Sequence, residues 1–282
     1  MLQQDLKKAS VRVLMDSWLL TIFGFFIGIA AALSGVGGGI FIVPILNLFY
    51  GLSGDLIVSA TATSLATIII TSIASTVNYL KQRRVYYKVG LVLAVATAPG
   101  AYVGAQLPTI PVVKQWLGPV FGVFLLLVAA QLIHRALSTK TVERCGEKNY
   151  VFETTLLKNR KKIAVALFLS FFGGLAAGLL GVGGGIILVP IMCYALDFPI
   201  HFSIPTSMFI MIFTSISGVT GYALQGVINP LFAVYLGVGS VFGAQVGAWT
   251  SKKLSSRHLL LVFAIMLIIA SISMILKSFK II

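Results

Sequence analysis

The stretch LSGVGGGIFIVPIL, residues 33–46, decides the fold of this chain. It places four glycines around one valine and continues into an apolar run that contains Pro44. A second stretch, LLGVGGGIILVPIM at residues 179–192, repeats the pattern almost letter for letter. Glycines lose more conformational entropy on folding than other residues and pack no side chain, so a duplicated glycine cluster needs a physical reason.

The composition is that of a membrane protein. Of the 282 residues, 58% are hydrophobic and 10% are charged, whereas soluble domains carry about 25% charged residues. The apolar runs are continuous rather than alternating, which indicates membrane helices and not outer-membrane strands. The net charge of +14 comes from basic residues that lie mostly in short connections, where they set membrane orientation. The charge therefore does not predict nucleic-acid binding.

The chain contains two copies of one unit, which is the signature of an internal repeat. Residues 35–40 recur as residues 181–186, at an offset of 146. Further along, the offset becomes 143 because the second copy lacks three residues in one loop. The pairs at this second offset are Thr63-Ser64 with Thr206-Ser207, Thr71-Ser72-Ile73 with Thr214-Ser215-Ile216, Tyr79 with Tyr222, and GAYVGA at 100–105 with GAQVGA at 243–248.

Each copy divides into five apolar segments. They lie near 17–34, 38–50, 56–80, 89–107 and 117–137, and then near 162–180, 184–197, 202–225, 230–250 and 257–277. The second segment of each copy is too short for the roughly 20 residues that a straight span requires. We therefore expect an all-α, polytopic membrane protein with broken or re-entrant helices at the GVGGG motifs. Its parts are a first repeat at 1–137, a cytoplasmic polar linker at 138–161 and a second repeat at 162–282.

Lys7, Lys8 and Arg12 precede the first apolar segment, as basic residues do in a signal peptide. The same segment recurs inside the second copy, so we interpret it as a membrane helix of the mature protein.

Charged loops predict that the two copies face opposite ways. After the third segment, the first copy carries Lys81, Arg83, Arg84 and Lys88, whereas residues 224–230 of the second copy carry no charge. One connection later the bias reverses, with Lys114 alone in the first copy against Lys252, Lys253 and Arg257. Because basic loops stay cytoplasmic, this reversal indicates inverted-topology repeats, an architecture typical of secondary transporters. The basic linker is then cytoplasmic, and both termini lie outside.

The glycine motifs are suited to binding an anion. Unwound backbone at membrane depth is tolerated where protein or a water-filled cavity covers it. The first amides of each short helix lack intrahelical acceptors and carry about half a positive charge. The inverted repeat would bring two such helix ends together near the membrane midplane. The candidate substrate-binding backbone positions are Gly37, Gly38, Gly39, Ile40, Gly183, Gly184, Gly185 and Ile186.

Polar side chains extend this candidate site. Hydroxyls able to donate to a tetrahedral or pyramidal oxyanion lie at Thr63, Ser64, Thr206 and Ser207, and Gln245 adds an amide. Hydroxyls in membrane helices often bond to their own backbone, so a structural role for these residues stays open. Other glycines recur at the four-residue spacing of helix packing, and for Gly100 and Gly243 we favour packing.

The sequence offers no set of residues for catalysis, a metal or a cofactor. Cys145 and Cys193 lack metal-ligand spacing, and Ile40 occupies the position where a dinucleotide fingerprint needs glycine. The best candidate for proton coupling is His201 near Asp197, although a histidine at a segment end is more often solvated. We expect no enzyme activity and no cofactor or metal. The expected partners are a small anion and the lipid bilayer, not nucleic acid, and a homo-oligomer is compatible with this interpretation.

The duplicated motifs GVGGGIFIVPIL and GVGGGIILVPIM, the segments ATATS (60–64) and SIPTS (203–207), and the GAxVGA pair together resemble the sulfite exporter TauE/SafE family. The resemblance spans essentially the whole chain. It implies a multi-pass carrier of the inner or plasma membrane that exports sulfite, sulfoacetate or a related organosulfonate. For this chain we expect export by alternating access, with a passive anion channel or a membrane factor in sulfur metabolism as alternatives.

Overall fold

The structure is a computed structural model that describes residues 2–50, 55–137, 160–196 and 198–250, with the single positions 264, 265, 267, 268, 271 and 272. The first copy contains helices α1 (Leu2–Ser34), α2 (Gly39–Tyr50), α3 (Asp55–Lys81), α4 (Tyr87–Gln106) and α5 (Pro111–Leu137). The second contains α6 (Arg160–Leu180), α7 (Gly185–Pro190), α8 (Ile200–Ala223) and α9 (Pro230–Thr250). A 3-10 turn, Leu107–Thr109, joins α4 to α5, and a π-turn, Ile191–Ala195, continues α7.

The all-α prediction is confirmed over these ranges, which contain no strand. Nine of the ten predicted apolar segments correspond to α1–α9 in the same order. The tenth, near 257–277, is described only at its single positions, and there Ser271 donates a hydrogen bond to the carbonyl oxygen of Gly122 in α5 at 2.6 Å. Most of the predicted linker, residues 138–159, lies outside the described residues.

Six of these helices are long and apolar enough to cross a membrane: α3, α4, α5, α6, α8 and α9. Two shorter apolar helical stretches, Trp18–Ser34 and Gly185–Ala195, accompany them in the described chain. The second of these contains α7, the short segment that follows the second glycine motif. The protein is therefore a polytopic helical membrane protein.

The outer surface of the helices is apolar. Large hydrophobic side chains project from several helices without cover, including Val95 of α4, Leu127 of α5, Phe168 of α6 and Phe242 of α9, each more than 60% exposed. Continuous exposure of this kind is unfavourable in water and is expected against lipid. The buried polar residues of the described chain are all serines and threonines, so the polar side chains of its largely apolar interior are uncharged hydroxyls.

The two copies are interleaved rather than side by side. Helix α1 packs mainly on α9, and its counterpart α6 packs mainly on α4. Helix α3 packs on α9, its counterpart α8 packs on α4, and α3 and α8 contact each other. Each of these contacts between a helix of the first copy and a helix of the second is thus matched by a contact between the two equivalent helices. This matching is the pattern that a twofold relationship produces in an interface.

Glycines allow the closest of these contacts. A Cβ atom on Gly100 would overlap the backbone of α6 at the carbonyl oxygen of Phe171, and one on Gly243 would overlap the backbone of α1 at the carbonyl oxygen of Phe25. The helices therefore touch backbone to backbone at these positions, as small residues permit in membranes. The packing role predicted for Gly100 and Gly243 is confirmed.

Candidate functional site

The backbone of each GVGGG motif turns through left-handed conformations. The φ angles of Gly35, Gly37 and Gly38 are 73°, 86° and 82°, and those of Gly181, Gly183 and Gly184 are 69°, 76° and 89°. Residues with a Cβ atom rarely adopt these angles, so three of the four glycines in each motif are required by backbone geometry. The first glycine ends one helix, and the third caps the start of the next, because Gly38 and Gly184 accept the first backbone bonds of α2 and α7.

The last glycine of each motif has a different role, which is to touch the other copy. A Cβ atom on Gly39 would overlap the carbonyl oxygen of Gly181, and one on Gly185 would overlap the carbonyl oxygen of Gly35. The two contacts are equivalent, because Gly39 corresponds to Gly185 and Gly181 corresponds to Gly35 in the repeat. The expectation that the two motifs lie close together is confirmed. Backbone geometry and this contact account for every glycine of both motifs without a ligand.

One serine of the opposite copy bonds to each motif. The hydroxyl of Ser64 donates to the carbonyl oxygen of Gly181 at 2.7 Å, and that of Ser207 donates to the carbonyl oxygen of Gly35 at 2.9 Å. Ser207 also lies 2.8 Å from the carbonyl oxygen of its own-helix neighbour Ile204. Both serines are fully buried. In this conformation the hydroxyl protons of both serines are therefore engaged in hydrogen bonds within the protein.

The neighbouring threonines act as acceptors. The hydroxyl oxygen of Thr63 accepts a hydrogen bond from the backbone N–H of Asn229 at 3.0 Å, just before α9. The hydroxyl oxygen of Thr206 accepts from the N–H of Tyr86 at 3.1 Å, just before α4. Each threonine therefore anchors the N-terminal end of a helix of the other copy. Because the hydroxyl oxygens of Thr63 and Thr206 accept in these two bonds, their own hydroxyl protons are not used there.

Ile68 and Met211 cover the centre of both motifs. A Cβ atom on Gly37 would lie 2.6 Å from the sulfur of Met211 and 3.4 Å from Cγ2 of Ile68. One on Gly183 would lie 3.1 Å from Cγ2 of Ile68 and 3.2 Å from the sulfur of Met211. Both side chains are fully buried. The point where the motifs meet is thus sealed by one apolar side chain from α3 and one from α8.

The amides that open the short helices have no acceptor in the described chain. The first bonds of α2 are donated by Phe41 and Ile42 to the carbonyl oxygen of Gly38, and those of α7 by Ile187 and Leu188 to that of Gly184. No hydrogen bond of the described residues is donated by the N–H groups of residues 37–40 or 183–186. Buried, unpaired amides at a helix N-terminus favour negative charge. Each such group of amides belongs to a motif that touches the motif of the other copy.

The structure brings twelve of the thirteen predicted site residues into the interior. All eight predicted backbone positions and the four hydroxyl residues are buried around the two motifs. Gln245 differs, because it is exposed on α9, on the side away from the buried Gly243 and Ala244. His201 is also exposed, and Asp197 lies outside the described residues.

Sequence reasoning missed Ile68 and Met211. They occupy equivalent positions, one helical turn after Ser64 and Ser207, but an isoleucine paired with a methionine gives no repeated letter. The offset of 143 was the one available signal, because it aligns the two residues.

Further hydrogen bonds occur at equivalent positions of the two copies: the tyrosine bonds lie within each copy, and the threonine bonds join the copies. The Tyr79 hydroxyl donates to the carbonyl oxygen of Ala32 at 2.6 Å, and the Tyr222 hydroxyl donates to that of Gly178 at 3.0 Å. The first bond joins α3 to the end of α1, and the second joins α8 to the end of α6. Thr71 bonds to Ser240 at 2.6 Å, as Thr214 bonds to Thr97 at 3.0 Å. The motifs therefore lie within a larger polar framework that both copies build.

These features define a class: a multi-pass helical membrane protein whose two copies of one unit enclose a polar, uncharged centre between broken helices. The family is given by comparison with known proteins. Residues 20–274 match the family model described as Sulfite exporter TauE/SafE, and the chain belongs to that family. Its members are membrane transporters, so this chain is a membrane transporter.

Individual relatives agree with this assignment. The chain is 30% identical to "Probable membrane transporter protein YunE" of Bacillus subtilis, over 90% of this chain and 96% of the relative. It is 26% identical to "Probable membrane transporter protein MJ0441" of Methanocaldococcus jannaschii, over 86% of this chain and 88% of the relative. A "Probable membrane transporter protein" of Haemophilus influenzae is 28% identical over 92% of this chain and 98% of the relative. No solved structure matches the chain.

Proposed function

We propose that this protein exports a small sulfur-containing oxyanion, such as sulfite, sulfoacetate or a related organosulfonate, across the cell membrane by alternating access. The observation that carries the proposal is the contact between two motifs, one from each copy, whose buried amides have no acceptor in the described chain, in a transporter of the TauE/SafE family. Backbone amides at helix N-termini bind oxyanions without a buried lysine or arginine. An uncharged site also releases its anion more readily than a site with a fixed ion pair.

In this proposal the two copies are inverted repeats, related by an axis in the membrane plane. The exchanged contacts at Gly39 and Gly185 support a twofold relationship between the copies. The opposite charge of their equivalent loops supports the orientation of that axis. The loop with Arg83 and Arg84 would then face the cytoplasm together with the linker at 138–161. The two short helices would be re-entrant, with their N-termini near the membrane midplane.

The described conformation is closed in this scheme. Ile68 and Met211 cover the motifs, and Ser64 and Ser207 bond across them. For an anion to reach the amides, α3 and α8 must separate on one side, which uncovers the motifs and frees the serine hydroxyls. Thr63, Ser64, Thr206 and Ser207 would then be available to the anion. Because the contacts that close the motifs occur in two equivalent sets, the closed state can open in two equivalent ways, one toward each side of the membrane. Alternating access requires two such openings.

The test is transport of radiolabelled sulfite and sulfoacetate by the purified protein in proteoliposomes, with imposed pH and voltage gradients. The proposal predicts saturable flux that a gradient of unlabelled substrate accelerates. Ohmic anion current without saturation would identify a passive channel instead. Flux no greater than that of empty liposomes for both anions would show that the substrate class is wrong.

A further inference from the structure

Helix α3 carries buried hydroxyls that have no hydrogen-bond partner among the residues the structure describes. In the described chain, the buried side-chain oxygens without a hydrogen-bond partner are those of Ser72, Ser75, Thr76, Ser170 and Ser215. Three of these are on α3, and Ser215 is on α8. Other hydroxyls of α3 do have partners: Thr67, for example, bonds back to the carbonyl oxygen of Thr63 at 3.0 Å. Because buried hydroxyls are normally satisfied, an unsatisfied group needs an explanation such as a ligand or water.

The three hydroxyls lie between the glycine motifs and the basic loop. Residues 68, 72, 75 and 79 share one face of α3 because they are three or four positions apart, and Thr76 adjoins that face. At one end of the face, Ile68 covers Gly37 and Gly183. At the other end, the guanidinium carbon of Arg84 lies 5.6 Å from the centre of the Tyr79 ring. Ser72, Ser75 and Thr76 occupy the interval between these two points.

The second copy lacks this arrangement. At the positions equivalent to Ser72, Ser75 and Thr76, α8 has Ser215, Gly218 and Val219, and only the first is a hydroxyl residue. The loop after α8 has Gln225, Gly226 and Val227 where the loop after α3 has Gln82, Arg83 and Arg84. Two otherwise equivalent faces therefore differ in hydroxyls and in charge, and both differences favour an anion on the side of Arg84.

We propose that Ser72, Ser75 and Thr76 form a binding site for the transported oxyanion, between the basic loop and the glycine motifs. This inference rests on the proposed function and adds to it a position and a direction. Three hydroxyl donors on one helix face can bond several oxygens of a sulfite or sulfonate group, and Arg84 raises the anion concentration at the approach. The anion reaches the motifs from the Arg84 side. If that side is cytoplasmic, the one-sided site loads the carrier for export.

The experiment compares sulfite uptake by right-side-out and inside-out membrane vesicles, corrected with vesicles that lack the protein. The variant Ser72→Ala/Ser75→Ala/Thr76→Val should raise KM at least tenfold from the Arg84 side and less than twofold from the other side. Thr67→Val is the matched control, since it removes a buried hydroxyl that already has a partner, and its KM should not change. If the wild-type protein transports sulfite and the triple variant has an unchanged KM on both sides, the inference is overturned while the proposed function stands. If the wild-type protein moves neither sulfite nor sulfoacetate, the proposed function fails first.

A labelling experiment covers a triple variant that does not fold. Thr76→Cys and its counterpart Val219→Cys are made separately in a chain with Cys145→Ser and Cys193→Ala. A membrane-impermeant methanethiosulfonate that carries a sulfonate group is applied from the Arg84 side. Thr76→Cys should react at least tenfold faster than Val219→Cys, and sulfoacetate should slow its reaction. Equal rates, or no protection by sulfoacetate, would overturn the inference.

Discussion

The hydroxyl of Ser64 donates a 2.7 Å hydrogen bond to the carbonyl oxygen of Gly181, so a helix of the first copy holds the broken helix of the second. Ser207 makes the equivalent bond to Gly35 at 2.9 Å. Each motif is thus held by the opposite copy, and neither copy contains all the groups that stabilise its own motif. The two copies must therefore assemble before either motif reaches the described conformation.

Replacing Ser64 with alanine should destabilise the protein. The carbonyl oxygen of Gly181 is buried and would lose its donor, which costs about 1–3 kcal/mol of unfolding free energy. Thermal unfolding of the purified protein in detergent measures the effect. Thr67→Val is the control, because the Thr67 hydroxyl bonds only within its own helix turn. An equal loss in both variants would show that the bond to Gly181 contributes nothing specific.

The contact between the motifs predicts a larger effect for Gly39→Ala. The added Cβ would overlap the backbone carbonyl oxygen of Gly181, and no rotation of a side chain can relieve that overlap. We expect a loss of more than about 4 kcal/mol, or no folded protein. Gly226→Ala is the matched control, since Gly226 has a φ of 66° but no atom within 4 Å of an added Cβ. Its cost should be the backbone strain alone, about 1–2 kcal/mol. Similar yields and melting temperatures for the two variants would contradict the contact.

The sequence predicted the helices, the duplication and the proximity of the motifs, because each has a local signature. Apolar runs set the segments, and repeated letters aligned the copies. It did not predict that Ser64 and Ser207 would each bond to the motif of the other copy, since the partners are backbone carbonyls far away in the chain. It also assigned the glycines to a ligand, whereas left-handed angles and the Gly39 contact with Gly181 already require them. Gln245 was selected for its amide alone, without regard to the helix face that it occupies.

The inverted orientation can be tested at two equivalent positions. Arg83 and Gly226 follow α3 and α8, both have positive φ angles of 55° and 66°, and both are exposed. In a chain with Cys145→Ser and Cys193→Ala, we expect an impermeant thiol reagent to label Arg83→Cys from the inside and Gly226→Cys from the outside. Labelling in intact and in inverted vesicles measures this. Labelling of both positions from the same side would rule out the inverted topology.

The amide of Ile40 offers a test of the anion site that leaves the glycines intact. Replacing Ile40 with its α-hydroxy acid analogue turns its N–H into an ester oxygen. Because this N–H has no acceptor in the described chain, stability should change little. If the amide holds the anion, the loss of a bond to a charged group of about 1.5–3 kcal/mol should weaken sulfite affinity about tenfold or more.

The control for this experiment is the same replacement at Ile187, whose N–H already bonds to the carbonyl oxygen of Gly184 at 3.0 Å. That ester should lower stability and leave affinity unchanged. If the ester at Ile40 folds and binds sulfite with wild-type affinity, this amide is not part of the site.

The last prediction concerns the two side chains that seal the motifs. Ile68 and Met211 are equivalent in the two copies, and each contacts both Gly37 and Gly183. Exchanging them, as Ile68→Met/Met211→Ile, conserves the total volume and should cost less than about 1.5 kcal/mol while transport continues. Truncating either one to alanine should cost about 2–5 kcal/mol and open the seal, which would raise anion leak through proteoliposomes without a driving gradient. Thermal unfolding and leak are measured on the same preparations. If the exchanged protein folds but no longer transports, or if the truncated proteins fold and do not leak, the two residues are not an interchangeable seal.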